Sequence, residues 1–226
     1  GVHYAQATEA LAKFAETHNI PVTETQAGKS VLPWDHPLNL GPIGVTGGEP
    51  ANTVCAEADV VIGVGTRFQD FTTGSWGLFA NPERKLISLN VAAYDAMKHG
   101  AVPLQSDALI GLQELGEALS GYTSPGKIDG LKPDWFGKVD PLTDVPSDGN
   151  ALPSDMQVIG AVQRASTEDT VVMCAAGTMP GELHKLWKAS KSGSYHMEYG
   201  FSCMGYEIAG AMGIKMAQPE RDVICF

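Results

Sequence analysis

The sequence predicts an α/β fold with two successive domains, each built on a parallel sheet. Short apolar runs with strand character alternate with amphipathic stretches of helical spacing, which is the pattern of βαβ units. Residues 59–67, "DVVIGVGTR", are almost continuously apolar, as in a strand covered on both faces. Residues 121–153 are dense in Pro, Gly and Asp and show no period, and the alternation resumes after them. We therefore predict a first domain at 1–121, a linker at 122–153 and the start of a second domain at 154–226.

In the first domain, apolar periodicity and stop signals define each element. Ala7, Leu11 and Phe14 share one face of a helix that Asn19 and Pro21 end. A loop rich in Gly and Pro precedes a second helix, whose Pro50 falls in the first turn, where its missing N–H costs nothing. The elements expected are helices at 6–18, 49–58 and 108–119, and strands at 20–25, 59–67, 85–90 and 102–107.

The second domain begins with a helix-start signature. Ser154 and Gln157 have the spacing of a capping box, in which each side chain binds the other residue's backbone N–H. We expect a helix after Ser154, a strand at 170–175, helices at 180–190 and 204–217, and a final strand at 222–226. In parallel α/β sheets, ligand-binding sites usually lie beyond the carboxyl ends of the strands.

Composition excludes several functional classes. The net charge of −11 argues against a nucleic-acid backbone as partner, and no segment has the ~20 apolar residues of a membrane span. The four cysteines are scattered singly and are expected to be small buried residues in a reducing cytoplasm. The histidines lack zinc-site spacing. The chain has neither an initiator Met nor a signal peptide, and we expect an internal piece of a longer polypeptide.

Two glycine turns in the first domain could approach a phosphate. "GVGTR", residues 63–67, ends a strand with two glycines, but Phe68 stands where a dinucleotide fingerprint has its third glycine. A tight turn is therefore favoured over a nucleotide site. Gly47 and Gly48 precede a helix and could form an anion nest. The negative charge of Glu49, directly after these glycines, opposes the binding of an anion there.

Two stretches of the second domain are better placed. "CAAGTMPGE", residues 174–182, leads from a strand into a helix, where free N–H groups and the helix dipole can hold a diphosphate. A simple turn explains these residues equally well. In the last helix Gly205, Ala209 and Gly213 share one face, so something should pack closely there. Another helix is the favoured neighbour, and Met204 alone is more often a core residue than a cofactor contact.

The motifs resemble one enzyme family. Residues 199–226, "YGFSCMGYEIAGAMGIKMAQPERDVICF", resemble the pyrophosphate domain of thiamine diphosphate enzymes of the acetohydroxyacid synthase and pyruvate oxidase type. There a G-x-x-x-M-G helix and a strand lead to a G-D-G metal motif. Residues 24–48 and 58–76, with "TQAGKS" and "RFQDFTTGSW", resemble a subfamily of C–C hydrolases that open trihydroxycyclohexane-1,2-dione in myo-inositol breakdown. The resemblance implies a Rossmann-like central domain followed by the first part of a thiamine diphosphate-binding domain.

The resemblance also implies roles for individual residues. The loop on the cofactor diphosphate matches Gly177, Thr178 and Met179. Met204 matches the residue whose carbonyl accepts a hydrogen bond from the aminopyrimidine and whose side chain supports the bent cofactor. Ser202 and Gly205 flank it, and Ser202 replaces the family's usual glycine. The glycine face of the last helix would then let backbone approach a flat heterocycle.

The implied reaction is carbanion chemistry, in which the cofactor accepts electrons as a ring C–C bond breaks and water releases 5-deoxyglucuronate. The family's catalytic Glu belongs to an amino-terminal domain, and its Mg²⁺ ligands, in G-D-G and a downstream Asn, would follow Phe226. We therefore expect no catalytic or metal residue in this chain, which should be inactive alone. The intact protein is expected to be a homodimer or homotetramer.

Cofactor use separates this interpretation from its rivals. The region where relatives hold FAD is matched by Gly65, Thr66 and Arg67. Bound FAD is not expected in this protein, because the hydrolysis has no redox step. FAD in the intact protein would favour an acetolactate synthase-like carboligase or decarboxylase. Micromolar binding of NAD or FAD by the chain would favour a non-catalytic nucleotide-binding module.

Overall fold

A computed structural model describes residues 1–145, 152–198 and 200–226. The helices of the amino-terminal half are α1 (Thr8–His18), α2 (Glu49–Glu57), α3 (Asp70–Thr73), α4 (Ala93–Ala96) and α5 (Ala108–Ala118). Its strands are β1 (Val22–Glu24), β2 (Asn39–Pro42), β3 (Val60–Val64), β4 (Lys85–Asn90) and β5 (Val102–Gln105). Short 3₁₀ turns lie at Gln26–Gly28, Gly77–Phe79 and Lys98–Gly100. The predicted elements are therefore present. Strand β2 is added inside the segment predicted as a loop, and the short helices α3 and α4 were not predicted.

All strand pairs of this half are parallel, as predicted. β1 pairs with β2, and β4 lies between β3 and β5 in a separate three-stranded sheet. Helices α1 and α5 cover one face of the larger sheet, where Leu11, Phe14, Leu89 and Leu112 form a buried core. Parallel strands need helical crossovers, and these helices bury the apolar face that the alternation predicted.

The expectation that β3 is covered on both faces is wrong at its amino end. Val60 is 51% exposed and, with Val61 and Ile62, lines a groove of about 1360 Å³ that also touches β1. Ile62 and Val64 pack against the core beneath α1 and α5. A continuous apolar run indicates a strand but does not establish which neighbours cover it.

The segment predicted as a linker contains a helix, α6 (Leu131–Val139), followed by a 3₁₀ turn at Asp140–Thr143. Lys132 Nζ donates to the carbonyl oxygens of Trp34 and His36 at 3.0 and 2.8 Å. Val139 is buried in the core of the carboxyl-terminal half. The helix was missed because it contains Pro133 and Gly137, yet Pro133 lies in the first turn, where no intrahelical N–H bond is lost.

The carboxyl-terminal half contains α7 (Asp155–Ala165), β6 (Val171–Cys174), α8 (Thr178–Leu186), β7 (Tyr195–Met197), α9 (Tyr206–Ala217) and β8 (Val223–Cys225). Its sheet is parallel, with order β7-β6-β8. The capping box is confirmed, because Ser154 N donates to Gln157 Oε1 at 2.9 Å and Gln157 N to Ser154 Oγ. Strand β7 was not predicted, since three residues between turns show no measurable period.

The cysteine prediction holds for two residues and fails for two. Cys55 and Cys174 are buried, whereas Cys203 and Cys225 are exposed. Cys203 lies in the loop before α9, and Cys225 lies on β8, at the edge of the sheet. No helix of the described ranges is long and apolar enough to cross a membrane.

Candidate functional site

The carboxyl ends of β6, β7 and β8 meet at one edge of their sheet. The ladder continues one residue beyond each outer strand, because Glu198 N donates to Cys174 O at 3.2 Å and Phe226 N to Met173 O at 3.0 Å. The turn into α8, the loop into α9 and the end of β8 therefore emerge side by side. This is the edge at which parallel sheets bind ligands.

The β6–α8 turn has the geometry of an anion site. Gly177 precedes the helix at φ +152°, without a side-chain cap, and an added Cβ would lie 3.3 Å from Pro180 Cδ. Helix α8 starts two residues earlier than predicted, so Thr178 and Met179 lie in its first turn. The first N–H groups of a helix have no intrahelical partner and lie at the positive end of its dipole. Gly177 and Thr178 are exposed, so these groups can reach a ligand.

The loop between β7 and α9 presents Met204 to solvent. Its side chain is 79% exposed, so Met204 is not a core residue in this chain. The neighbouring Ser202 and Gly205 both have positive φ, at +54° and +94°. A Cβ on Gly205 would meet nothing within 4 Å. The six predicted site residues thus lie in two neighbouring loops on one edge of the sheet.

The glycine that packs closely in α9 is not among those predicted. A Cβ on Gly213 would meet nothing within 4 Å, and Ala209 is exposed. A Cβ on Gly210 would instead lie 2.7 Å from Met173 Cε and 3.0 Å from Tyr206 Cε1. The spacing of small residues indicated an interhelical face, but the helix turns Gly210 toward β6 and leaves the predicted face open.

That open face of α9 carries exposed apolar side chains. Ile208 is 71% exposed, and Met212 and Met216 lie at helical spacing from it. Phe201, in the preceding loop, is 91% exposed. Contiguous exposed apolar surface of this kind is typical of an interaction site rather than of an isolated soluble domain.

A polar cluster joins the two halves. It comprises the buried residues Glu24, Lys29, His184 and Tyr195 and the partly buried Thr46. Lys29 Nζ lies 4.0 Å from Glu24 Oε2 and 5.7 Å from the centre of the Tyr195 ring. Gln26 Nε2 donates to Thr46 Oγ1, which lies 2.9 Å from His184 Nδ1. The segment "TQAGKS" carries part of the resemblance to the hydrolase subfamily, but only the structure shows that its Lys29 lies over the Tyr195 ring of the second sheet.

Burial dominates the ionisation of this cluster. It raises the pKa of Glu24 and lowers that of Lys29, and the opposite charge offsets part of each shift. Burial, with the nearby Lys29 charge, lowers the pKa of His184 to about 3. His184 is therefore neutral at pH 7 and acts as a hydrogen-bonding residue of the interface.

The glycine turn after β3 has a packing explanation. A Cβ on Gly65 would clash with the backbone of Gly1. Backbone of the chain itself thus occupies the close approach that a nucleotide phosphate would need. Gly47 is likewise enclosed, since its Cβ would lie 2.6 Å from Gly44 N.

Among the described residues, no group of three or more His, Cys, Asp or Glu side chains could hold a metal ion. Two side chains near this edge are apolar: Met179 in the first turn of α8, and Phe226 directly after β8. Both pack against the hydrophobic core of the carboxyl-terminal half.

The fold and this edge define the class of protein. Residues 1–115 match the family model described as thiamine pyrophosphate enzyme, central domain, and residues 175–226 match thiamine pyrophosphate enzyme, C-terminal TPP binding domain. The chain belongs to the thiamine pyrophosphate enzyme family. Its two predicted cofactor loops lie within the second match, which supports thiamine diphosphate as the cofactor.

Several curated proteins that are similar to this chain carry the same name. The chain is 42% identical to the 3D-(3,5/4)-trihydroxycyclohexane-1,2-dione hydrolase of Geobacillus thermodenitrificans, over 99% of this chain and 38% of that protein. Hydrolases of the same name from Bacillus cereus and Clostridium tetani are 43% and 38% identical, over 99% of this chain and 39% of each relative. The chain thus spans well under half the length of the curated relatives it matches.

Proposed function

We propose that this chain contributes the central domain and the first part of the cofactor domain to a thiamine diphosphate-dependent C–C hydrolase. Its substrate would be the cyclic diketone trihydroxycyclohexane-1,2-dione, opened to 5-deoxyglucuronate. The observation that carries the proposal is the identity of about 42% along 99% of the chain to hydrolases named for that substrate. We place the domain boundaries at 1–121 and 154–226, with 122–153 between them.

The residues at the sheet edge fit the cofactor that the family implies. Gly177, Thr178 and Met179 would hold the diphosphate, because the start of α8 offers unpaired N–H groups and Gly177 has no side chain to obstruct them. Ser202, Met204 and Gly205 would hold the heterocyclic part, since Met204 is exposed and the space at Gly205 is open. When bound, thiamine diphosphate supplies an electron sink for carbanion chemistry.

The chain's own residues would bind and orient rather than transfer protons. The first N–H groups of α8 would stabilise the anionic diphosphate oxygens by hydrogen bonding, without adding a titratable group to the site. The apolar Met204 side chain would exclude water from one side of the heterocycle. Its backbone carbonyl would accept a hydrogen bond, as the resemblance implies. The residue that activates the cofactor is expected outside this chain.

We propose that Mg²⁺ binds beside the carboxyl end of β8. Phe226 continues the ladder on Met173, so residues after it would emerge next to the α8 turn. Mg²⁺ prefers oxygen ligands and commonly bridges carboxylates and phosphates. A G-D-G sequence following Phe226, with a downstream Asn, would supply such ligands.

We further propose that the intact protein is a cytoplasmic homodimer or homotetramer that binds neither nucleic acid nor membranes. The exposed apolar face of α9 supports assembly, and the net charge of −11 opposes a nucleic-acid partner.

Ring opening by the full-length polypeptide tests the function. The purified protein is assayed with the cyclic dione, with and without thiamine diphosphate and Mg²⁺, and 5-deoxyglucuronate is quantified by mass spectrometry. We expect product only when both are present. A parallel assay with pyruvate measures acetolactate. Acetolactate formation without dione hydrolysis, or dione hydrolysis independent of the cofactor, would contradict the proposal.

A further inference from the structure

We propose that Glu198 is a positioning residue that sets the conformation of the loop presenting Met204. This inference rests on the proposed function, because it concerns the loop assigned to the cofactor. Glu198 is the first residue after β7, and its own N–H donates to Cys174 O at 3.2 Å. Its backbone is therefore anchored to the central strand of the sheet, and its side chain reaches into the loop that follows.

Both carboxylate oxygens of Glu198 bind backbone N–H groups of that loop. Oε1 accepts from Phe201 N at 3.1 Å, and Oε2 accepts from Cys203 N at 2.9 Å. Between these two donors Ser202 adopts a φ of +54°, which a non-glycine residue rarely takes. The two hydrogen bonds hold this turn in place and end one residue before Met204.

A second carboxylate holds the other side of Met204. Glu207, in the first turn of α9, accepts from Gly205 N at 2.8 Å. Met204 is thus bracketed by Cys203, bonded to Glu198, and Gly205, bonded to Glu207. The exposure of Phe201 and Met204 leaves little apolar packing in this chain to hold the loop. Hydrogen bonds to carboxylates are therefore the principal restraints on its shape.

This arrangement separates the roles of the two loops. Backbone N–H groups lower the pKa of Glu198 by stabilising its carboxylate. The N–H groups of Phe201 and Cys203 are consequently used within the protein and do not serve a diphosphate. The start of α8 keeps that function, while the Glu198 loop supplies shape and the Met204 contact.

Variants of the full-length protein test the inference. Glu198→Ala removes both acceptors, and Glu198→Gln keeps the size of the side chain but places an amide NH₂ where one acceptor stood. Glu220→Gln is the control, since Glu220 is exposed in the turn before β8. Two measurements are made on each: hydrogen exchange at Phe201 and Cys203 without cofactor, and calorimetric titration with thiamine diphosphate in the presence of Mg²⁺.

We expect faster exchange at both amides in the Glu198 variants and no change in the control. The affinity for thiamine diphosphate should fall about tenfold in Glu198→Ala and less in Glu198→Gln, because charge-assisted hydrogen bonds stabilise the bound loop. Unchanged exchange at both amides, or wild-type affinity in Glu198→Ala, would overturn the inference. If the wild-type protein binds no thiamine diphosphate, the proposed function fails, whereas the exchange measurement still decides the role of Glu198 in the loop. If Glu198→Ala does not fold, Glu198→Gln carries the test.

Discussion

His184 Nδ1 lies 2.9 Å from Thr46 Oγ1 and 3.1 Å from Thr46 O, although the two residues are 138 positions apart in the chain. Thr46 lies in the loop before α2, and His184 lies on α8, whose first turn is the proposed diphosphate site. The contact therefore ties the helix that would hold the cofactor to the amino-terminal half. Because His184 is fully buried, its protonation state and the stability of this contact are linked.

The first prediction concerns pH. The pKa of His184 is lowered to about 3 from its usual 6.5. Below pH 6.5 the unfolded chain binds a proton at this residue that the folded chain does not, so the His184 contribution to stability falls as pH falls. The free energy of unfolding should therefore fall by about 2 kcal/mol between pH 7 and pH 5. Urea unfolding of the full-length protein at the two pH values measures it.

His184→Asn is the matched variant for this measurement. An Asn amide can still donate to Thr46 O but does not titrate. The difference in pH dependence between wild type and variant reports on His184 alone. Glu24 and Lys29 lie in the same cluster, but their pKa values, one raised and one lowered, contribute to both proteins. An equal pH dependence in the two proteins would mean that His184 is accessible to protons in the folded state.

The second prediction concerns packing in α9. Gly210→Ala places a Cβ against Met173, whereas Gly137→Ala, on the exposed side of α6, meets nothing within 4 Å. Both substitutions gain up to ~1 kcal/mol of helix propensity. We expect Gly137→Ala to be neutral or stabilising, and Gly210→Ala to be less stable than it by ~1 kcal/mol or more. Denaturant unfolding of both variants gives the comparison, and equal stabilities would mean that the Met173 side chain, whose terminal Cε is the nearest atom, moves aside without cost.

The third prediction concerns Gly177. Gly177→Ala adds a methyl group at positive φ beside the free N–H groups of α8, so we expect the affinity for thiamine diphosphate to fall at least tenfold, ~1.4 kcal/mol. Gly193→Ala is the control, because Gly193 also has positive φ but lies in the turn before β7. Both variants should lose some stability from backbone strain. Calorimetric titration of the full-length variants separates the effects. If both variants bind thiamine diphosphate with equal affinity, Gly177 is not part of the diphosphate site.

The fourth prediction concerns assembly. Ile208→Asp puts a charge on the exposed apolar face of α9, and we expect the full-length protein to shift to a smaller oligomer in sedimentation velocity, because burying an unpaired carboxylate is costly. Glu220→Asp changes an exposed residue without changing its charge and should leave the oligomer intact. An unaltered oligomer in Ile208→Asp would place the subunit contact elsewhere.

Most helices and strands were predictable from local signals, which also single out the two turns proposed to bind the cofactor. The alternation of helix and strand, the Ser154 capping box and the turns at Gly177 and Gly205 depend on neighbours within a few residues. Helix α6 and strand β7 escaped prediction because one contains Pro and Gly and the other has three residues. The exposed positions of Cys203 and Met204 also escaped, because exposure depends on what lies opposite.

The amino-acid sequence by itself determined the alternation of helices and strands, the parallel sheets and, through motif resemblance, the thiamine diphosphate family. Backbone propensity, capping and short-range periodicity suffice for these features. Only the tertiary structure decided that Gly210 rather than Gly213 packs against β6, that His184 and Lys29 meet across the two halves, and that Glu198 binds the Met204 loop. Each is a contact set by the rotation of a helix or the register of a strand, and these depend on the whole core.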